Sequence, residues 1–328
     1  MTKDLVLAIL KNSDTYISGE AISKELGISR AAVNTAVKSL RDAGFVIDSV
    51  NNRGYLLKSS PDTLSYGDIL AHLSKERMEN VKVFDEIPST NDYARELALS
   101  GAPDKTVVIS NCQTKGKGRR GRSFASPKGV GIYLSVIFKP DCLPKDTVSV
   151  TAQTAVAMCN AINSSCNIMP KIKWVNDLII NQKKICGILT EMGIEAETGH
   201  IQYLIIGIGI NANHKLSDFP KEIRDFASSI MLETENVVNR AKLAAQMIKE
   251  LDILRDNMED ITAYLNEYKD LSATLNKDVK IISNEDEKIG KAIDINNDFS
   301  LKIKYPDGTI KDVSSGEVSV RGLYGYSD

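Results

Sequence analysis

Fourteen residues, Gln113 to Ser126 (QTKGKGRRGRSFAS), do more than any other stretch to limit how this chain can fold. Lys115, Lys117, Arg119, Arg120 and Arg122 are interleaved with Gly116, Gly118 and Gly121, so neither a regular helix nor a strand is favoured. The stretch is a loop suited to an anion. Arginine offers a planar fork of donors to paired oxygens, and glycine lets backbone N–H groups approach the same ligand without a Cβ in the way. The phosphate-loop pattern GxxxxGK[ST] is absent. Taken alone, the stretch also fits a solvated basic loop or one that touches nucleic acid. The apolar runs on either side, Thr106 to Asn111 and Gly131 to Phe138, read as strands and anchor the loop at both ends.

A chain of 328 residues, 42% hydrophobic and 26% charged, has room for two or three domains with a sizeable core. Its net charge of -2 excludes coating of nucleic acid or an anionic membrane through overall charge, so anion binding has to be local. The N-terminus turns polar within a few residues, and no apolar run approaches the ~20 residues that span a bilayer. A cytoplasmic protein with no membrane partner is expected. Cys112, Cys142, Cys159, Cys166 and Cys186 form no CxxC pair, and His72, His200 and His214 are scattered, so neither a disulfide framework nor a zinc site is signalled.

Residues 1–63 read as a winged helix-turn-helix. Leu5, Val6, Ile9 and Leu10 recur at helical spacing, a second helix runs from Gly19 to Leu26, and Gly27 turns the chain. Ser29 stands as N-cap of a third helix reaching Asp42, with Val33, Ala36, Val37 and Leu40 inward. Ser29, Arg30, Ala31, Asn34, Thr35 and Lys38 form an outward face suited to a major groove, with cations for phosphate and Asn and Thr for base edges. A hairpin follows, with Arg53 at its tip as a DNA-contacting wing would have. A small helical domain used for protein contact fits the same pattern. One module reads one half-site, so operator DNA binding calls for a dimer. Ser59 to Asp62 is the linker.

Beyond it, Ser89, Thr90 and Asn91 precede a helix marked by Ala94, Leu97 and Ala98; they are good capping residues and also a compact polar set for a ligand group such as a ureido. A helix is expected over about 146–163, then KIKWVND (171–177), KKICGIL (183–189) and the apolar YLIIGIGINAN (203–213). Arg240 to Leu265 carries one helical pattern, and short strands around 279–282, 289–295, 301–303, 310 and 318–320, broken by Asn296-Asn297-Asp298 and Pro306-Asp307-Gly308, suit a small barrel.

STN before a helix, GKGRRGR, KWVNDL, KKICGIL and GIGIN, in this order over about 125 residues, resemble the biotin protein ligases, also called biotin acetyl-CoA-carboxylase ligases. With the winged helix in front, the whole chain resembles the bifunctional class that also represses the biotin operon. The resemblance implies an α/β multidomain fold: a winged helix-turn-helix at 1–63, a ligase domain with a mixed sheet at 64–270, and an SH3-like barrel at 271–328. It implies ATP and Mg2+ as cofactors, biotin as substrate, and biotinyl-5'-AMP as intermediate and corepressor. The partners it implies are a biotin carboxyl carrier protein, operator DNA and a second copy of the chain when the adenylate is bound.

By position, the resemblance assigns Ser89, Thr90, Asn91, Gln113, Lys117, Gly118, Arg119, Lys184 and Gly187 to biotin. Arg119, Arg120, Arg122, Phe124, Lys173, Trp174, Asn176 and Asn211 fall to ATP or the adenylate, and Arg119, Asp177 and Lys184 to catalysis, with Asp177 also near the magnesium. Three positions depart from the usual pattern: Lys117 stands for an arginine, Phe124 for a tryptophan, and Val175 for a proline. Trp174 also reads as plain core, and Asn176-Asp177 as turn formers.

The reaction explains the residue types. A biotin carboxylate attacking the α-phosphorus of ATP brings two anions together, a repulsion of several kcal/mol at an effective dielectric of about 20, and Arg119, Arg122 and Lys184 offset it. Two competing readings share the fold, a biotin-sensing transcription factor without catalysis and a lipoyl ligase. The retained cation set argues against the first, and the GKGRRGR loop with the DNA-binding domain against the second.

Overall fold

The computed structural model describes residues 2–147, 149–283, 286–314 and 319–322. At the N-terminus, α1 (Thr2–Lys11), α2 (Gly19–Leu26) and α3 (Arg30–Asp42) are followed by a hairpin of β1 (Val46–Val50) and β2 (Gly54–Ser59). Ser18 and Ser29 cap α2 and α3 by accepting from the amides of Ala21 and Ala32. Val6, Leu10, Ile22, Val33, Val37, Leu40 and Ile47 form a core of their own. Gly54 is obligatory: its φ is +105°, and a Cβ there would lie 2.0 Å from the Ile17 carbonyl oxygen.

The chain continues through α4 (Tyr66–Leu70), α5 (Lys75–Met78), β3 (Val81–Phe84), α6 (Thr90–Leu99), β4 (Thr106–Ser110), β5 (Gly131–Phe138), α7 (Val150–Cys166), β6 (Lys171–Lys173), β7 (Asp177–Ile180), β8 (Lys183–Ile194) and β9 (Ile201–Asn211). The strands form one seven-stranded sheet in the order β3-β4-β5-β9-β8-β7-β6. Only the β3–β4 pairing is parallel, so the sheet is mixed. Helices α8 (Ile230–Thr234), α9 (Arg240–Asp256) and α10 (Ile261–Leu271) come next. Finally β10 (Asp278–Ser283), β11 (Asp286–Ile295), β12 (Leu301–Lys304), β13 (Ile310–Val313) and β14 (Ser319–Gly322) make an antiparallel sheet in the order β13-β12-β11-β10-β14, that of the small SH3-like unit. Its Val279, Ala292, Leu301 and Ile303 join Ile172, Trp174 and the buried faces of α7 and α9 in one continuous core.

Three sequence expectations need correction. The single helix expected over 240–265 is two, because Asn257 to Asp260 interrupt it and Asp260 caps a new helix through the Ala263 amide. The helix expected from 146 starts at Val150, after a separate 3₁₀ turn over Pro144–Thr147. The short helix that the sequence suggests over Tyr66 to Leu73 ends at Leu70. Val318, expected in the last strand, lies outside the described residues.

The winged helix is seated on the ligase core through α1 and α4. A Cβ on Gly67 would lie 2.6 Å from the Asp4 carbonyl oxygen, so only glycine permits this approach. Lys11 pairs with the buried carboxylate of Asp68, which also closes a capping box with Ser65. The linker is bolted down as well. Arg240, 1% exposed, reaches Asp62 Oδ2 at 2.7 Å through Nε, and its Nη1 donates to Asn111 Oδ1 at 2.7 Å and the Gly131 carbonyl at 3.1 Å. Asn111 and Gly131 bracket the glycine and arginine loop, so this guanidinium touches both the linker and the two ends of the loop.

Candidate active site

The loop is a small hairpin. Phe124 N donates to the Gly116 carbonyl at 2.9 Å and Gly118 N to the Arg122 carbonyl at 2.7 Å, while the tip takes a 3₁₀ turn with Arg120 at φ +57°. Gly116 has no room for a side chain: a Cβ would stand 2.4 Å from the Phe124 carbonyl oxygen. The stem is sewn to the chain before α6, since Lys115 N donates to the Pro88 carbonyl at 2.8 Å.

Beneath the hairpin lies a cavity of about 50 Å³. One wall is the first turn of α6. Ser89 caps it through the Asp92 amide, and the side-chain Oε1 of Gln113 accepts from both the amide (2.8 Å) and the hydroxyl (3.0 Å) of Thr90. The Ser135 hydroxyl lies 2.6 Å from Asn91 Oδ1 and 2.7 Å from the Thr90 hydroxyl, and Asn91 Nδ2 donates to Glu191 at 2.7 Å. The floor comes from β8 and β9, where Gly187 and Gly209 face one another across the ladder. Phe124 lies on this floor: a Cβ on Gly209 would be 2.5 Å from its ring, and one on Gly187 3.4 Å. Gly207 makes room for Asn91, whose Oδ1 would be 2.0 Å from an added Cβ.

The opposite wall carries the charge. Arg119 Nη1 donates to Asn176 Oδ1 at 2.8 Å, and Lys184 Nζ lies 2.6 Å from Asp177 Oδ1. Burial pulls the Arg119 guanidinium below its usual value, and nearby Asp177 opposes that shift. Two cations are thus brought over a half-buried cavity with one carboxylate between them, an arrangement that stabilises a multiply charged anion. On the α6 side, burial raises the Asp92 carboxyl, but Lys117 and Arg95 outweigh it and leave Asp92 below the usual carboxylate range.

Of the expected site residues, Ser89, Thr90, Asn91, Gln113, Lys117 and Gly118 line the cavity. So do Arg119, Phe124, Asn176, Lys184 and Gly187, with Asp177 tied to Lys184 beside them. Five residues are not on the cavity wall. Arg120 and Arg122 are exposed on the hairpin, and Asn211 is buried with its Nδ2 on the Ser228 carbonyl at 3.0 Å. Trp174 is in the core, its indole N–H donating to the Phe299 carbonyl at 2.9 Å. Lys173 is buried and likewise off the wall. Sequence reading missed Gly207, Gly209, Ile188 and Leu189, although glycines two apart in a strand must share one face. Glu191, Ser135, Asp92 and Arg95 carry no local signal; register and helix phase alone bring them here.

In the N-terminal unit Arg30, Ala31, Asn34, Thr35 and Lys38 are exposed along one side of α3. The Arg53 guanidinium stands 5.9 Å from the centre of the Tyr16 ring at the base of the wing. The Ser29 hydroxyl is engaged as a cap, and the Thr35 hydroxyl donates to the Ala31 carbonyl.

An anion cavity under a glycine and arginine hairpin on a mixed sheet, joined to a helix-turn-helix, defines a class that the comparisons make specific. Residues 83–211 match the Biotin/lipoate A/B protein ligase family, 2–56 an HTH domain, and 274–321 the Biotin protein ligase C terminal domain. The bifunctional ligase/repressor BirA of Bacillus spizizenii is 39% identical over 74% of this chain and 74% of its own length. That of Escherichia coli (strain K12) is 29% identical over 96% of both. A biotin protein ligase from Aquifex aeolicus in complex with biotin and ATP superposes with a TM-score of 0.63 at 25% identity, covering 74% of this chain and 99% of that one. The chain belongs to the family of bifunctional ligase/repressors.

Proposed function

We propose that the cavity binds biotin and ATP, joins them as biotinyl-5'-AMP, and passes biotin to a lysine of a biotin carboxyl carrier protein. The observation that carries this is the placing of Arg119 and Lys184 on one side of a cavity whose other side is Ser89, Thr90, Asn91 and Gln113. At about 50 Å³ the cavity is far below the ~300 Å³ of an ordinary ligand cleft, so ligand entry requires the hairpin and Phe124 to lift.

The polar wall takes the ureido ring, and the apolar floor takes the ring sulfur and acyl chain. The carboxylate then lies under Arg119 and Lys184. Its oxygen attacks the α-phosphorus, pyrophosphate leaves, and the two cations bear the charge that builds on the phosphoryl oxygens. In the second step the acceptor amine attacks the acyl carbon and AMP leaves. Lys184 acts as an electrostatic clamp, not a nucleophile. Among the described residues no three His, Cys, Asp or Glu side chains gather as a metal cage. Magnesium needs only one or two protein carboxylates beside substrate phosphates, and Asp177 with Asn176 fits that role. Bound there, it neutralises phosphate charge.

The exposed face of α3 and Arg53 read operator DNA at biotin synthesis genes, and residues 1–63, 64–270 and 271–328 act as DNA-binding, ligase and SH3-like units. No helix among the described residues is long and apolar enough to cross a membrane, in keeping with a cytoplasmic site of action. Closing of residues 114–126 over the adenylate favours a dimer, which a shift in sedimentation on adding adenylate tests. For the ligase itself the test is mass spectrometry of a carboxylase carrier domain incubated with the protein, biotin, ATP and magnesium. A biotin increment that requires ATP supports the reading, and a carrier left unmodified while biotin binds overturns it.

A further inference from the structure

A chain of four charged side chains runs along the α6 side of the cavity. Lys117 Nζ stands 2.5 Å from Asp92 Oδ1, and the same oxygen accepts from Arg95 Nη1 at 2.9 Å. Arg95 Nη2 reaches Glu191 Oε1 at 2.6 Å, and Glu191 Oε2 takes the Asn91 amide at 2.7 Å. Two cations meet two carboxylates, so the chain is internally neutral and joins the hairpin to the polar wall.

The hairpin has a second side-chain tether, Arg119 to Asn176, on the far side of the cavity. Lys117 and Arg119 flank Gly118, so the hairpin is held on both sides of that glycine. A lysine gives a point charge with no fork, and its direction has to come from the partner. Asp92 supplies that direction because Arg95 fixes it from the other side.

We propose that Asp92 is a positioning residue: its carboxylate, aimed by Arg95 and Glu191, latches Lys117 and holds the 116–124 hairpin over the cavity. This rests on reading the cavity as the site of adenylate formation. Its consequence there is retention of the reactive mixed anhydride until the acceptor arrives. Asp92 also lies in the first turn of α6, where a carboxylate stabilises the helix by itself, and the test has to separate the two roles.

The experiment uses the full-length protein with Asp92→Asn, Asp92→Glu, Lys117→Ala and the double variant Asp92→Asn/Lys117→Ala. Without ligand, tryptic cleavage within 115–122 is expected to run about three- to fivefold faster in Asp92→Asn than in the wild type, the range that an exposed ion pair supports. With biotin, ATP and magnesium, release of biotinyl-5'-AMP from Asp92→Asn and from Lys117→Ala rises by a similar factor. The double variant releases no faster than either single one, and Asp92→Glu restores retention. A helix role alone would lower Tm and leave cleavage and release unchanged. Wild-type cleavage and release in Asp92→Asn, or effects of the two substitutions that multiply, overturn the latch. A wild-type protein that forms no adenylate removes the ligase reading, and the ligand-free cleavage rates still decide the latch.

Discussion

The face of α3 and the wall of the cavity are both polar surfaces made for anions, yet they are built in opposite ways. On α3, Arg30, Asn34 and Lys38 stand exposed and make no side-chain hydrogen bond or ion pair among the described residues. In the cavity nearly every polar group is already engaged with another: Thr90 with Gln113, Asn91 with Ser135 and Glu191, Arg119 with Asn176, Lys184 with Asp177. Long cations held ready in water suit a phosphate backbone, where affinity comes from released counterions. Groups held in place by each other suit a transition state, because little reorganisation remains when charge develops.

The largest expected effect divides the two regions cleanly. Arg119→Gly or Lys184→Ala should remove about 3 to 4 kcal/mol of transition-state stabilisation, seen as a several-hundredfold slower adenylate formation, with DNA affinity in the absence of ligand unchanged. An equal loss of DNA affinity would mean that the regions are not separable. Next comes the bolt between them. Arg240→Ala leaves Asp62, Asn111 and the Gly131 carbonyl without their buried donor and should destabilise the protein by roughly 3 kcal/mol in urea unfolding, placed at the low end for a buried pair because Asp62 is part exposed.

An acid titration sharpens the contrast further. Residues 1–63 hold no histidine, whereas burial lowers His214 in the ligase half to about 4, and its Nδ1 has no hydrogen-bond partner. The unfolded chain gains a proton there below pH ~6.5 that the folded chain refuses. Stability is therefore full above that pH and falls, by up to roughly 3 kcal/mol, as pH drops toward about 4. His72, also lowered by burial and by Lys11, adds in the same direction. The pH dependence of the urea midpoint should flatten in His214→Asn, and an unchanged slope would remove this account. The smallest effect is on the other side: Lys38→Ala should reduce the salt-dependence slope of operator binding by about 1 without touching ligase rate.

How far each region could be read beforehand follows the same division. The winged helix is local: Ser29, the spacing of Val33, Ala36, Val37 and Leu40, and the turn before Gly54 lie within 30 residues and gave elements that match to within a residue or two. The glycine and arginine stretch was legible as an anchored loop, though not as a hairpin, and the STN turn as a helix cap, because glycine, arginine and capping chemistry act at short range. Trp174, which the motif assigns to the nucleotide and which also reads as plain core, is core: it lies in the turn after β6, and its indole N–H donates to the Phe299 carbonyl of the C-terminal unit. Glu191 and Ser135 were invisible for a similar reason. They touch the cavity residues Asn91 and Thr90 only through the β5-β9-β8 register, a fact of non-local pairing. The break at 257–260 was missed because both flanking segments keep a helical period.

The most direct measurement is a single turnover of the wild-type protein and Arg119→Gly with biotin and ATP·Mg, following biotinyl-5'-AMP in the bound and free fractions. The account predicts that the wild type forms about one equivalent and keeps it bound, while Arg119→Gly forms it several-hundredfold more slowly and releases it. Biotin bound by the wild type with no adenylate formed, or an Arg119→Gly protein as fast and as retentive as the wild type, would contradict it.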